Sequence, residues 1–277
     1  MNFLGVMQGR LLPKYKNRYQ SHPVGYWQDE FIIAKEFGLN LIEFIVDYED
    51  VEKNPLLSNE GIEEISSLSK KNEVMVRTLC ADFFMEAPLH SEDLYQRQKS
   101  KDILKRLSLS CKHLGITEIV IPCVDHSSFQ NKNQISIFKD VLNDVIGDSP
   151  VEVNFSLETD LGPKDFADLV DYFDNSRVGV NYDIGNSASL GFNCSEEIEA
   201  YGHYINDVHI KDRRYKSDSV FLGDGDADFH MVFEKLSKIG YKGPFIMQAY
   251  RDMEGKNVFK SQLDWILPIL QTYFVLA

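Results

Sequence analysis

Short apolar runs and apolar stripes of helical period alternate from one end of this chain to the other. The runs at residues 3–7, 41–45, 74–79, 118–123, 151–157, 178–182, 207–210 and 245–248 have strand length, and the segments between them carry the pattern of amphipathic helices. Ile103, Leu107, Cys111 and Leu114 fall on one helix face, as do Ile135, Phe138, Leu142 and Val145. Gly162-Pro163 ahead of Phe166, Leu169, Val170 and Phe173 predicts a helix start, because proline in the first turn forfeits no hydrogen bond. Gly38, Gly115 and Gly240 each follow a stripe and precede a run, where a left-handed helix end is expected. Eight strands, each leading into a helix, predict an α/β chain folded as a (β/α)8 barrel. No linker rich in Gly, Ser or Pro interrupts it, so residues 1–277 are expected to form one domain.

Barrels of this kind place their chemistry just past the carboxyl ends of the strands. Glu158 ends the fifth run, Asp183 follows the sixth, His209 lies in the seventh and Gln248 closes the eighth. Four polar groups at the same end of four successive strands converge on one point. Two carboxylates, an imidazole and an amide oxygen, with no sulfur, suit one divalent ion: Mn2+ or Mg2+ first, with Co2+ or Zn2+ also compatible. Gln8 and Arg10 follow the first run, Glu43 and Asp47 belong to the second, Asp82 to the third, and Asp125 and His126 to the fourth. Segments 9–25, 82–94, 125–134 and 211–228 are polar and long for strand-to-helix connections, so they are expected to cover the mouth. Trp27 and Phe31, one helical turn apart, read as core, whereas Phe83 and Phe84 in a mouth loop are candidates for a pocket wall.

Composition narrows the partners. With 277 residues, 43% hydrophobic and 26% charged, the chain can bury a full core, and its net charge of −14 opposes binding to nucleic acid. Arg10, Lys211, Arg213, Arg214 and Arg251 nevertheless cluster just past strand ends, and a guanidinium fork fits phosphate or carboxylate. A small anionic ligand is the expected partner, and the glycines at 223 and 225 would let backbone amides approach the same anion. No apolar stretch reaches the ~18 residues of a membrane span, and residues 1–7 lack the features of a secretory signal. Cys80, Cys111, Cys123 and Cys194 are widely spaced and read as reduced thiols of a cytoplasmic protein.

Several motifs together resemble the xylose-isomerase-like barrel superfamily of sugar and sugar-phosphate isomerases and epimerases, which is similar in fold to the metal-dependent apurinic endonucleases. They are Leu157-Glu158-Thr159-Asp160, the Asp183-Ile184-Gly185-Asn186 turn, His209-Ile210-Lys211-Asp212-Arg213, Leu222-Gly223-Asp224-Gly225-Asp226 and Met7-Gln8-Gly9-Arg10-Leu11. The resemblance spans the whole chain. It implies a metal ion on two adjacent oxygens of a ketose, an enediolate intermediate, and a homodimer or tetramer. In ketose 3-epimerases of the superfamily, glutamates from the fifth and eighth strands pass the proton across the substrate carbon. Glu158 matches the first, but Gln248 stands at the second and has no proton to exchange. Asn186 stands where many relatives have histidine.

The expected function is therefore a metal-dependent isomerase or epimerase of a small sugar or sugar phosphate. Glu158 and Lys211 are the expected catalytic groups, Glu158, Asp183, His209 and Gln248 the metal ligands, and Gln8, Arg10, Asn186, Arg213 and Arg251 the substrate contacts. Glu158, Lys211 or Asp212 could handle the proton alone, or a second base such as Asp82 or Glu43 could share it. A sugar-binding barrel without turnover is the non-catalytic alternative. Cleavage at abasic DNA would need more histidines at the strand ends and a basic groove. Arg10 and Arg251 also admit a purely structural reading, as ion pairs closing the first and last strands.

Overall fold

A computed structural model of the chain describes residues 1–173 and 177–277. Eight parallel strands form a closed barrel: β1 (Leu4–Met7), β2 (Leu41–Ile45), β3 (Thr78–Cys80), β4 (Glu118–Cys123), β5 (Asn154–Thr159), β6 (Val178–Asp183), β7 (Ile205–Ile210) and β8 (Phe245–Met247). Each strand pairs with its neighbours in sequence, and β8 closes the barrel on β1. Two expected strands begin three or four residues after the start of their apolar runs. Glu73 turns left-handed (φ 58) after the helix Asn59–Asn72, and Met75 then makes only one bridge, to Leu41, before β3 begins. At the fifth run a turn from Pro150 to Val153 delays β5 to Asn154. A two-stranded antiparallel ribbon, Asp212–Arg213 with Ser219–Val220, was not expected and folds the last mouth loop.

Local sequence explains the wall of helices. Gly38, Gly115 and Gly240 adopt φ of 73, 72 and 76, and Pro163 opens the helix Pro163–Asp171. The Asp93 side chain accepts from Gln96 N at 2.7 Å to cap Leu94–Leu114. Ile103, Leu107, Cys111, Phe138, Leu142, Val145, Phe166, Leu169 and Val170 are buried against the barrel. Each large side chain hidden this way stabilises the fold by about 1.5–3 kcal/mol. Trp27 and Phe31 are core as expected, and so are Phe83 and Phe84. No helix among the described residues is long and apolar enough to cross a membrane, and all four cysteines are free thiols.

Inside the barrel, side chains alternate along each strand, so Leu41, Glu43 and Ile45 share the lumen face of β2. Met7, Leu41, Ile45, Cys80, Val120 and Ile246 pack there as a small apolar cluster. Gly5 lets β1 approach β2 and β8: a β-carbon on it would lie 2.9 Å from atoms of Leu41 and Ile246. The rest of the lumen is polar, with Glu43, Glu118, Ser156, Asn181, Asp207 and His209 all buried. The Ser156 hydroxyl donates to Glu118, yet burial still pushes that carboxyl up to about 7.

Burial also raises the carboxyls of Glu30 and Asp47 to about 7, while it lowers His22 and His90 to about 4. From the usual carboxylate range up to about pH 7, the folded chain holds protons on these three acids that the unfolded chain has released, so stability is lost as pH rises. The two histidines act in the opposite sense, only up to about pH 6.5. The denaturation midpoint of chelator-treated protein is expected to fall between about pH 5.5 and pH 7.5, most steeply near about pH 6.5. A midpoint that climbs over this range would contradict the burial of these acids.

Candidate metal centre and active-site cavity

Alternation along β5, β6 and β7 turns Glu158, Asp183 and His209 inward at the carboxyl end of the barrel. Each offers one ligand atom, and these atoms lie within 4.8 Å of one another, all on buried residues. Gln248, one residue past β8, donates from Nε2 to Gln20 Oε1 at 2.9 Å, while its Oε1 is buried without a partner. An orphaned acceptor is costly unless a donor or a cation meets it. Two carboxylates, an imidazole nitrogen and that amide oxygen are the donor set a divalent ion of the Mg2+, Mn2+ or Zn2+ type accepts, so the residues fit such an ion.

Neighbouring side chains hold each of these groups. Asn186 Nδ2 donates to Glu158 Oε1 at 2.6 Å and Asn181 Nδ2 donates to Oε2 at 2.9 Å. Burial, then the nearby Asp183, raises the Glu158 carboxyl to about 7. Both oxygens of Asp183 are engaged. Oδ1 accepts from Asn186 N at 2.8 Å, capping the helix Ile184–Leu190, and Oδ2 accepts from Lys211 Nζ at 3.2 Å. His209 Nε2 lies 2.8 Å from Glu43 Oε1, while Nδ1 meets Asn181 Nδ2 at 3.1 Å and lies 3.8 Å from Glu158 Oε2. Burial disfavours charge on His209, but Glu43, Glu158 and Asp183 together outweigh it and the imidazole pKa is raised.

Glu43 thus holds the His209 imidazole in place, and it also crowds Asp207, whose carboxyl is raised well above the usual range by burial and then by Glu43. Glu43→Gln keeps an acceptor for Nε2 and removes the like charge. It is expected to leave metal-free stability equal or higher while weakening divalent-ion affinity about 10–100-fold. Calorimetric Mn2+ titration with parallel urea denaturation checks this, and unchanged affinity would refute the orienting role.

Above this centre opens a cavity of about 730 Å³. Arg10, Glu158, Asn186, Lys211, Arg213, Gln248 and Arg251 all line it. Asn186 Oδ1 accepts from Lys211 Nζ at 3.0 Å and from Arg213 Nη1 at 2.8 Å, tying two cations to the residue that orients Glu158. Gln8 is not among the lining residues. It follows the inward-facing Met7 and so turns the other way, where Oε1 accepts from Ile45 N at 3.1 Å and meets His22 Nδ1 at 2.9 Å.

Asp212 is likewise committed within the chain, accepting from Gly223 N, Gly225 N and Ala227 N at 2.8, 3.0 and 3.2 Å. The loop amides therefore serve a carboxylate of the chain itself rather than a ligand anion. A β-carbon on Gly225 would collide with Asp212. Arg10 and Arg251 have no carboxylate within 4.0 Å among the described residues, so they do not form the ion pairs of the structural reading.

Several residues of the site carry no periodic signal. Gln20 accepts from Arg10 Nη2 at 2.7 Å and from Gln248, and donates to Asp82 Oδ2 at 2.6 Å, so one mouth-loop amide links three strand ends. Tyr19 and Tyr250, not Phe83 and Phe84, supply aromatic surface to the cavity. Among the described residues, two groups could hold an ion, Glu158, Asp183 and His209, and Glu43, Asp207 and His209, and both contain the same single histidine. The several-histidine cluster needed for cleavage at abasic DNA is not found there.

The model of the xylose isomerase-like TIM barrel family matches residues 31–269. The chain is 26% identical over 254 residues to L-ribulose-5-phosphate 3-epimerase UlaE of Salmonella heidelberg, covering 87% of this chain and 88% of that protein. Its fold matches the crystal structure of the IOLI protein with a bound zinc atom at a TM-score of 0.78, with 16% identity over 98% of this chain and 99% of that one. D-psicose 3-epimerase from Clostridium cellulolyticum H10, solved with D-tagatose, matches at 0.75 with 17% identity over 98% and 99%. With a family match over most of its length and a closed parallel barrel to accompany it, the chain belongs to the xylose isomerase-like TIM barrel family.

Proposed function

We propose that this chain is a divalent-metal-dependent isomerase or epimerase of a small sugar or sugar phosphate. The observation that carries this reading is the approach of ligand atoms of Glu158, Asp183 and His209 to within 4.8 Å, at a cavity whose lining includes Gln248 with its buried, unpartnered Oε1. A space of about 730 Å³ suits a small ligand and can enclose most of it. The names of the relatives, an L-ribulose-5-phosphate 3-epimerase and a D-psicose 3-epimerase, support the same substrate class.

Glu158, Asp183, His209 and Gln248 would hold the ion, which when bound supplies Lewis-acid stabilisation of negative charge on substrate oxygens. Glu158 takes the proton from the carbon beside the ketose carbonyl, yielding an enediolate. Asn186 and Asn181 keep the two oxygens of that base in place. Lys211, partly buried beside Asp183, stabilises the developing charge. Proton return by Glu158 to the former carbonyl carbon, with the hydroxyl proton of the adjacent oxygen passing to the former carbonyl oxygen, gives isomerisation. Return to the same carbon from the opposite face needs a second group, and Asp82, which lines the cavity and accepts from Gln20, is the candidate.

Solvent-deuterium incorporation into a panel of ketoses and ketose phosphates, followed by proton NMR, tests the reading. Incorporation next to the carbonyl with Mn2+ present, lost on chelation and restored by Mn2+, is the expected result. A metal-loaded protein that binds these sugars yet exchanges none of them would instead be a sugar-binding barrel, the reading Gln248 favours.

A further inference from the structure

Two buried guanidinium groups line the cavity on the wall where β1 meets β8. Arg10 is 1% exposed and Arg251 2% exposed, and both line the cavity. Arg10 donates from Nη1 to Tyr19 O at 3.2 Å and from Nη2 to Gln20 Oε1 at 2.7 Å, while its Nε is buried with no partner. Arg251 donates from Nη2 to Leu12 O at 2.5 Å and from Nε to Asp252 O at 3.3 Å. The neighbouring acid Glu30 spends Oε2 on Gly9 N at 2.7 Å and Oε1 on Leu11 N at 3.1 Å, so it fixes the loop that carries Arg10 instead of pairing with a guanidinium. Asp82 reaches Arg10 only through Gln20. Two buried cations that use neutral acceptors, and keep donor capacity in hand, are poorly compensated by the protein itself.

We propose that Arg10 and Arg251 form a subsite for the phosphate dianion of a phosphomonoester substrate. A dianion matches the charge of two guanidiniums, whereas a carboxylate matches only one, and the fork geometry of arginine suits phosphate oxygens. The barrel order sets the direction of the substrate. β1 and β5 are four places apart in a closed ring of eight strands, so Arg10 stands across the mouth from Glu158. The phosphate therefore sits at the end of the sugar remote from the reacting carbon. This placement rests on the proposed function for which end reacts, but the anion subsite itself does not.

The test uses the whole protein. Inorganic phosphate is titrated calorimetrically into wild type, Arg251→Met and Arg251→Lys, and deuterium incorporation is compared for a ketopentose 5-phosphate and the same ketopentose without phosphate. Wild type is expected to bind inorganic phosphate, Arg251→Met to bind it about tenfold or more weakly, and Arg251→Lys to lose less. The ratio of kcat/KM for the phosphorylated over the unphosphorylated sugar should fall in Arg251→Met by about the same factor.

No phosphate binding by wild type, or equal binding by wild type and Arg251→Met, overturns the subsite. If Arg251→Met does not fold, wild type and Arg251→Lys decide the question alone. Exchange into ketoses without preference for the phosphorylated form overturns the subsite and spares the enzyme reading. Phosphate binding that depends on Arg251 with no exchange into any ketose supports the subsite and overturns that reading.

Discussion

Replacing Glu158 with glutamine is expected to lower proton exchange into a ketose by about 10²–10⁴-fold, the usual contribution of a positioned general base. The substitution keeps side-chain volume, but an amide cannot accept the proton. It also weakens ion binding, because one of two anionic ligands becomes neutral. The fold should tolerate the change. Glu158 is buried and its carboxyl is raised to about 7, so the native barrel already disfavours its charge. The cost is limited to one contact, because Asn181 Nδ2 and Asn186 Nδ2 both donate here and an amide offers one oxygen where the carboxylate offered two. Activity measured across a Mn2+ series separates the two losses. If saturating metal restores full exchange to Glu158→Gln, Glu158 is a ligand and the base lies elsewhere.

The residues at the strand ends were legible because a barrel strand imposes a period of two and a fixed polarity. An apolar run that stops on Glu158, or that contains His209, leaves those side chains little choice of face once the strand direction is known. The same rule holds information that is easily missed. Asn181 precedes Asp183 by two residues and therefore shares its face, and Glu43 interrupts Leu41-Ile42-Glu43-Phe44-Ile45 on the lumen side. Gln8 shows how narrow the margin is. One position beyond Met7, it turns away from the mouth and binds His22 and the β2 backbone.

The mouth loops were illegible for a different reason. Their conformation follows from single contacts rather than from periodicity, so nothing in the sequence around Gln20 distinguishes it as a bridge among Arg10, Asp82 and Gln248. The role of Asp212 is similar: the glycines of the 222–226 segment look suited to a ligand anion, yet their amides close on a carboxylate 11 and 13 residues earlier in the chain. Arg10 and Arg251 could be placed at the rim from their positions after β1 and β8. Their lack of carboxylate partners emerges only from the packed structure.

Gln20 also determines what a carboxylate at position 248 would do. Gln248→Glu is expected to tighten Mn2+ binding by about tenfold or more, since charge count sets the affinity of such sites, and to destabilise the metal-free protein. Gln248 now donates Nε2 to Gln20 Oε1, which also accepts from Arg10 Nη2. A glutamate there can only accept, so two acceptor oxygens would face each other at hydrogen-bond distance. Rotating the Gln20 amide would relieve this, but Gln20 Oε1 would then face Asp82 Oδ2 and Nε2 would face Arg10. Either arrangement leaves mismatched polar groups in a largely buried network, a cost of about 1–3 kcal/mol. Adding Asp82→Asn supplies a donor to the rotated Gln20 and should recover part of that stability, whereas Mn2+ should recover it in the single variant by meeting the new charge. Urea denaturation with and without Mn2+, alongside Mn2+ calorimetry, reads both effects. If the single variant binds Mn2+ no more tightly than wild type, the free oxygen of Gln248 does not face the ion, and the centre is confined to Glu158, Asp183 and His209.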